Sequence, residues 1–327
     1  MTITINENTI NNKIFTKLPN DLFYKRENGV LKNGDIYNLT NNKHDDKLIN
    51  ILAYLSINKN MKNICGTSVE HIILACKMKP NANKGKSNDK VKQSIQYLID
   101  NKYINLDIDI TASKVKDCIM FSPFNVKGEF SMLYEDDYNL IMNYKDNKVS
   151  NTKLLTLFAY INQSIHKPEK NNGGIGQARV AFCGYNNISE RIGLGSNTIT
   201  KYNEILEKEL NLITIFNAGR YIIKNKKIKK SIQLSNVYTL NRNGSMEEEF
   251  LQWKIDYKKQ FPDRKIVKNL TMKERKFYGV MGSLIKKEIN ETITDKEIAK
   301  LNDMKIIENK KAQDRALTPD VKYSQNV

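Results

Sequence analysis

Lys47-Leu-Ile-Asn-Ile-Leu-Ala-Tyr-Leu-Ser56 and Lys153-Leu-Leu-Thr-Leu-Phe-Ala-Tyr-Ile-Asn162 are two versions of one segment. Four of the ten positions are identical, and most of the others keep their chemical character. Upstream, Phe15-Thr-Lys-Leu-Pro-Asn-Asp21 is echoed by Phe130-Ser-Met-Leu-Tyr-Glu-Asp136. Downstream, Ser87-Asn88 and Ser196-Asn197 each open a helical stretch that runs into a Leu-Ile pair. The three pairings lie 115, 106 and 109 residues apart, a drift of a few residues that loop insertions and deletions explain. A period this long means two whole domains, not the short units of a solenoid.

At 327 residues the chain has room for both domains and a further region. An apolar fraction of 40% and a charged fraction of 27% fit a globular protein. There is no run of eighteen apolar residues to span a membrane. The first residues, MTITINENTINNK, lack the basic-then-apolar order of a signal peptide, so a cytoplasmic location is expected. Cys65, Cys76, Cys118 and Cys183, with His44, His71 and His166, are scattered without metal-ligand spacing. They read as small buried groups in a reducing compartment, and no metal or cofactor is expected.

The net charge is +17. Residues 1–245 carry 35 Lys/Arg against 22 Asp/Glu, while residues 246–327 carry 18 against 14, so the excess lies over the repeats. Such a surplus points to a polyanion, most often nucleic acid. The competing reading is the Lys-, Asn- and Ile-rich composition of an AT-rich genome.

The second repeat is the easier to parse. Leu154, Leu155, Leu157, Phe158 and Ile161 give Thr152 to Ile165 a helical apolar face. A strand follows at Ala178–Cys183, then a short helix from Ile188 to Ile192 capped by Asn187, with Glu190 completing the box. Gly193-Leu-Gly195 turns the chain, and Ser196 caps a longer helix to about Leu210. Leu212–Phe216, Tyr221–Ile223 and Ser231–Leu240 then read as strands. Helix, strand, helix, turn, helix and β-hairpin is the order of a winged helix-turn-helix.

In that arrangement the last helix enters the major groove of DNA. Ile199, Tyr202, Leu206 and Leu210 would face the core. That leaves Ser196, Asn197, Thr198, Thr200, Lys201 and Glu204 outward, types suited to base edges and phosphates. The hairpin adds Arg220 and the acid-free run Lys224, Lys226, Lys227, Lys229 and Lys230, suited to flanking phosphates or the minor groove.

The first repeat follows the same plan. Lys47 to Ile57 is its first helix, and Thr67 with Glu70 caps a second to about Lys77. After the basic loop Lys79 to Lys86, Ser87 caps a third helix with Val91, Ile95 and Leu98 inward. Ser87, Asn88, Lys90, Lys92, Gln93 and Gln96 are its candidate contact residues. Tyr103–Ile110 and Cys118–Phe121 would form its hairpin. Two such readers in one chain could cover two adjacent half-sites.

Several tempting signals do not carry the enzyme readings they invite, and the Gly85-Lys86-Ser87 stretch reads more economically as a phosphate contact at the start of a helix. Gly85-Lys86-Ser87 is no P-loop, because Pro80 stands where a glycine is needed and no apolar strand leads in. Gly173-Gly-Ile-Gly176 follows a helix and not a strand. Glu135-Asp136-Asp137, Asp107 and Asp109 lack any accompanying nuclease motif, and Asp136 echoes Asp21 as a helix cap. No nucleophile–base pair is readable, and no enzyme is expected.

Beyond Asn241-Arg-Asn-Gly244 the repeat ends. Ser245/Glu248, Thr271/Glu274 and Thr294/Glu297 are capping boxes of three helices. The first carries a packing stripe of Phe250, Trp253, Tyr257 and Phe261 and stops at Pro262. Lys254 to Lys287 holds eleven Lys/Arg against three acids. The expectation is therefore an α+β protein, mainly α with small β-hairpins: an N-terminal arm (1–14), two tandem winged-helix domains (15–126 and 127–241), a helical region (245–311) and a disordered tail (312–327).

This layout resembles the replication initiator proteins of plasmids, and the related phage replisome organisers, of low-GC Gram-positive bacteria. The resemblance rests on the duplicated winged-helix plan, the opening Phe15-Thr-Lys-Leu-Pro-Asn-Asp-Leu-Phe23 and the strand Ser235-Asn-Val-Tyr-Thr-Leu240. It covers residues 15 to about 241. It implies binding of repeated double-stranded DNA sites at an origin, possible homo-oligomers on DNA, and recruitment of the host replicative helicase or its loader. Carried over, Ser196–Glu204 and Ser87–Gln96 would be the recognition helices. A transcription regulator or partition adaptor, and a protein-interaction scaffold, remain alternatives.

Overall fold

The computed structural model describes residues 14–27, 30–38, 45–106, 108–123, 129–165, 177–223, 231–267 and 272–317. The chain divides into two compact units, Met1–Ile266 and Val267–Val327. It is an α+β protein of helices and small antiparallel sheets.

In the first repeat, β1 (Phe15–Pro19) leads through a helical turn at Asn20–Leu22 into a hairpin of β2 (Tyr24–Glu27) and β3 (Val30–Asn33), then α1 (Asp35–Asn38). After it come α2 (Lys47–Ile57), β4 (Cys65–Thr67), α3 (Val69–Ala75), α4 (Ser87–Asp100), β5 (Ile104–Asn105) and β6 (Ile119–Pro123). The second repeat runs β7 (Phe130–Tyr134), α5 (Glu135–Met142), α6 (Asn151–Ser164), β8 (Ala181–Cys183), α7 (Tyr185–Ile192) and α8 (Ser196–Glu204). Then follow β9 (Ile213–Asn217), β10 (Arg220–Ile223), β11 (Ile232–Gln233) and β12 (Asn236–Leu240). The unit closes with α9 (Met246–Gln260) and β13 (Arg264–Val267).

The repeat read in the sequence is also a repeat of topology. The first repeat forms a sheet of order β4-β6-β5 and the second a sheet of order β8-β12-β9. In both, the strand ahead of the helix pair lies on one edge and the last strand takes the centre. The two upstream echoes are themselves hydrogen-bonded neighbours: β1 runs antiparallel to β7, from Phe15 opposite Tyr134 to Pro19 opposite Phe130. At its midpoint Lys17 faces Met132, its own counterpart at the 115-residue offset. The ladder is thus self-complementary, as an interface between two copies of one domain would be.

One continuous core runs through both repeats. Leu18, Leu22, Phe23, Leu48, Ile51 and Leu55 of the first join Leu133, Leu154, Phe158, Ile161 and Tyr238 of the second. Polar links cross the same boundary. The Thr152 hydroxyl donates to the Asp46 carboxylate at 2.7 Å, and the Tyr138 hydroxyl donates to Asn50 Oδ1 at 3.0 Å. Burial holds the Tyr138 phenol above its ordinary pKa. Asn50 in turn donates to the Cys76 sulfur at 3.1 Å. Burial pushes that thiol up to about 12, so it is a packed, protonated group. Gly34 marks a tight crossing, since a Cβ there would lie 2.3 Å from the backbone carbon of Phe23.

The helices sit close to their predicted spans, with caps displaced by one to three residues. Lys47–Ile57 is as read, and Asn151–Ser164 is capped by Ser150, which accepts from the Lys153 amide. Ser68, not Thr67, caps α3, accepting from the His71 amide; Thr67 ends a strand. Helix α7 starts at Tyr185 behind Gly184, so Asn187 lies inside it. Ser87 and Ser196 are the first helical residues, behind Lys86 and Gly195, and neither makes a capping bond. The helix predicted to run to Leu210 is α-helical only to Glu204 and continues as a π-turn over Ile205–Glu209. Strands shorten for a common reason, that pairing and not pattern defines them. Ala178–Cys183 pairs only over Ala181–Cys183, Tyr103–Ile110 only over Ile104–Asn105, and Ser231–Leu240 splits into β11 and β12.

The helix of the aromatic stripe packs on the second repeat. Trp253 and Tyr257 are buried against Val180, Ala218, Leu234 and Val237. Phe216 and Phe250 stack at 4.4 Å between centroids, and Phe182 leans on Trp253 at 5.5 Å. Asp256 accepts from the backbone amides of Gln177 and Ala178, and Glu249 from that of Arg179. Helix α9 therefore fixes the approach to β8 by charge-assisted hydrogen bonds as well as by packing. In the second unit, α10 (Met272–Ile289) and α11 (Asp295–Leu317) share a small core of Leu284, Leu301 and Met304. Helix α11 continues through the first residues of the tail predicted to be disordered, and 318–327 lie outside the described residues. Among the described residues no helix is long and apolar enough to cross a membrane.

Candidate nucleic-acid interface

Each repeat presents the helix that precedes its hairpin, α4 or α8, with one face in the core and the other open. In α8, Ile199 and Tyr202 are buried, as are Ile205 and Leu206 beyond it. The hydroxyl of Tyr202 accepts from the Ser150 amide at 3.0 Å, which ties the helix to the start of α6. Ser196, Asn197, Thr200 and Glu204 are exposed, and Thr198 and Lys201 half-exposed, so all six predicted positions reach the surface. Thr200 spends its hydroxyl proton on the Ser196 carbonyl. Lys201 is held: its ammonium lies 3.2 Å from the Asp146 carboxylate and 3.4 Å from the Lys148 carbonyl. The Lys148 amide, and then Lys201, keep the Asp146 carboxyl below its ordinary range. A surface pair of this kind is weak and readily exchanged for another anion.

In α4, Val91, Ile95 and Leu98 are buried as predicted. Lys90 and Gln93 are exposed, and Gln96 is half-exposed, donating to Asp100 at 2.7 Å. Two predicted contact residues are not on the outer face. Ser87 and Asn88 are buried: the Ser87 hydroxyl donates to the Lys79 carbonyl at 2.6 Å, and Asn88 Oδ1 accepts from the Asn81 amide at 2.8 Å. The preceding loop folds back over them, which a helical wheel does not reveal. Lys92 also has a structural role. Its ammonium donates to the carbonyls of Thr111 and Ser113, at 3.1 and 2.6 Å, and so binds the β5–β6 connection to the helix.

That loop supplies what the helix face loses. All eight residues from Lys79 to Lys86 are exposed, and their shape is pinned from within. The Gly85 amide donates to Asp89 at 2.7 Å with Gly85 at φ +73°, and the Asn83 amide donates to Asn81 Oδ1 at 3.0 Å. Lys79, Lys84 and Lys86 therefore stand on an ordered turn beside Lys90. Their signal in the sequence was the basic run itself, read there as a loop.

The hairpins differ. Between β5 and β6 the charges are mixed: Asp109 and Asp117 with Lys114 and Lys116. Asp109 is used to shape the turn, accepting from the amide and hydroxyl of Thr111, and these bonds lower its pKa. In the second repeat, Arg220 donates to the Ser231 carbonyl at 3.2 Å across the β10–β11 pair. Lys224, Lys226, Lys227, Lys229 and Lys230 lie outside the described residues.

Among the described residues no group of His, Cys, Asp or Glu could hold a metal ion. The acids Glu135, Asp136 and Asp137 form the first turn of α5, where they favour the helix dipole, and Asp137 pairs with Arg242. Comparison of the chain with family models, with curated proteins and with solved structures returns no match.

Proposed function

We propose that this chain is a sequence-specific binder of double-stranded DNA, built as two winged-helix units, and that it initiates plasmid or phage replication at repeated origin sites. The observation that carries the reading is the shared strand order, β4-β6-β5 and β8-β12-β9. With a helix ahead of the first strand of each sheet and a helix pair after it, that order supports a winged-helix reading of both repeats. In this fold the helix before the hairpin enters the major groove and the hairpin tracks the backbone beside it. Helix α8 offers Asn197, Thr200 and Lys201 to base edges. Helix α4, with Lys90 and Gln93, is helped by the Lys79–Lys86 turn, whose ammonium groups suit phosphates.

The shared core and the self-complementary ladder support a single rigid reader, with the two units at fixed spacing, so one chain spans two half-sites. The replication role rests on the resemblance of the layout to plasmid initiators, as does recruitment of a host helicase or loader. Fluorescence anisotropy with duplexes from the protein's own gene and its flanks, against random duplex from ~50 to 200 mM salt, tests the reading. Preference of ~10³-fold or more for one fragment, with repeats inside it, is the expected result. Weak, fragment-independent binding that salt abolishes would leave the protein-interaction scaffold in its place.

A further inference from the structure

The hairpin of the second repeat does not end with its own two strands. The sheet has the order β11-β10-β13, so a strand from beyond α9 lies against the hairpin's free edge. What holds it there is Arg264. Its guanidinium lies over the rings of Tyr221 and Phe261, at 4.5 and 3.9 Å from their centroids, and donates to the Tyr257 hydroxyl at 3.1 Å. Tyr221 belongs to β10 and Tyr257 to α9, so this one side chain fastens strand, hairpin and helix together.

The alternation of side chains along strands then sorts the sheet into two faces. Arg264 and Tyr221 share the face that packs on α9, joined by Ile232, which is paired with Tyr221. The neighbours Arg220 and Lys265 consequently share the opposite face, with Gln233, the partner of Arg220. Lys265 and Gln233 are exposed there. On the α9 side Tyr221 and Arg264 are half-buried while Ile232 at the outer strand is exposed; on the other side Arg220 is half-buried and Lys265 is open.

We infer that β13 is the third strand of the DNA-contacting wing, and that Lys265 binds a duplex phosphate on the same face as Arg220. The strand widens the wing laterally, so the protein reaches the backbone beside the β10–β11 pair. Pairing with β13 satisfies the outer backbone groups of β10 and moves that open edge of the sheet to β13. The inference rests on the winged-helix reading of the second repeat.

The test is the salt dependence of duplex affinity for the full chain, measured by anisotropy on the preferred and a random fragment. Lys265→Ala should lower the magnitude of the slope of log K against log salt by about 0.9, one phosphate contact. It should also weaken both fragments by a similar several-fold factor at the lowest salt. Lys265→Arg should retain the slope. Lys59→Ala, an exposed lysine after α2, controls for the loss of one charge from the whole molecule. An unchanged slope in Lys265→Ala, or an equal change in the Lys59 control, overturns the inference while leaving the DNA-binding reading intact. Failure of the unmodified chain to bind any duplex would remove both.

Discussion

In the first repeat the lysines stand on the turn ahead of α4; in the second, the turn ahead of α8 is Gly193-Leu-Gly195 and the lysines fall in the sequence between β10 and β11, outside the described residues. Over residues 15–126 and 127–241 the surplus of Lys/Arg over Asp/Glu is the same, 17 against 11 and 16 against 10. Equal charge on one scaffold is thus placed on different elements. On the proposed reading, the second repeat, with a neutral turn and the wholly polar outer face of α8, is the one suited to base edges. The first, with Ser87 and Asn88 buried and Lys92 tied to the β5–β6 connection, keeps a short outer face and a basic turn suited to gripping the backbone. The contrast teaches that the two repeats share a packed core and differ in the polar and charged groups they expose, because only the core is constrained by packing.

The most disruptive test of that contrast attacks what the repeats share. Leu18 and Leu133 are counterparts, both fully buried beside the β1–β7 ladder. Truncating either to Ala should cost ~2–5 kcal/mol, read as a shift in the urea midpoint. With one core, residues 1–266 should unfold in a single transition. Separate transitions for the two repeats would break the picture of a rigid double reader.

Reading and gripping predict different losses. Lys201→Ala should weaken binding to the preferred fragment by ~1–3 kcal/mol and random duplex far less. Equal losses on both would strip α8 of its assignment. Replacing Lys84 and Lys86 together should instead lower affinity on every sequence by about tenfold at low salt and flatten the salt slope by about 1.8. A loss confined to the preferred fragment would make the first repeat a reader after all.

The smallest effect concerns thiols. Burial raises Cys65 and Cys183, on the equivalent strands β4 and β8, to about 11, and Cys76 to about 12. All three remain protonated and shielded at pH 8, whereas Cys118 is exposed. A thiol reagent should therefore titrate one group rapidly in the native protein and three more only on unfolding. Because the unfolded thiols ionise near pH 8.5 and the folded ones above it, stability should fall as pH rises from about 8.5 toward 11. Rapid reaction of Cys65 or Cys183 in the native state would mean that β4 or β8, the edge strand of that repeat's three-stranded sheet, is not packed.

Much of this was legible without coordinates. The helices Lys47–Ile57 and Asn151–Ser164 are declared by apolar residues at helical spacing, a local property that survives any tertiary arrangement. The inward faces of α4 and α8 and the stop before Pro262 are of the same kind. The caps at Thr67, Asn187 and Ser196 were misplaced by one to three residues, since neighbouring polar residues compete for that position and only backbone geometry chooses among them.

The sequence by itself thus determined the helices, their apolar faces and the charge available for a partner, because each is written in adjacent residues, and it displayed the repeat because two such local patterns can be compared directly. Tertiary structure alone decided that the two echoed segments pair with each other across a shared core. It also decided that the Lys79–Lys86 turn closes over Ser87 and Asn88, and that a strand from beyond α9 completes the hairpin of the second repeat. The reason is physical: pairing and burial join segments tens to a hundred residues apart. The hydrogen bonds and desolvation that select those partners leave no period in the local chain.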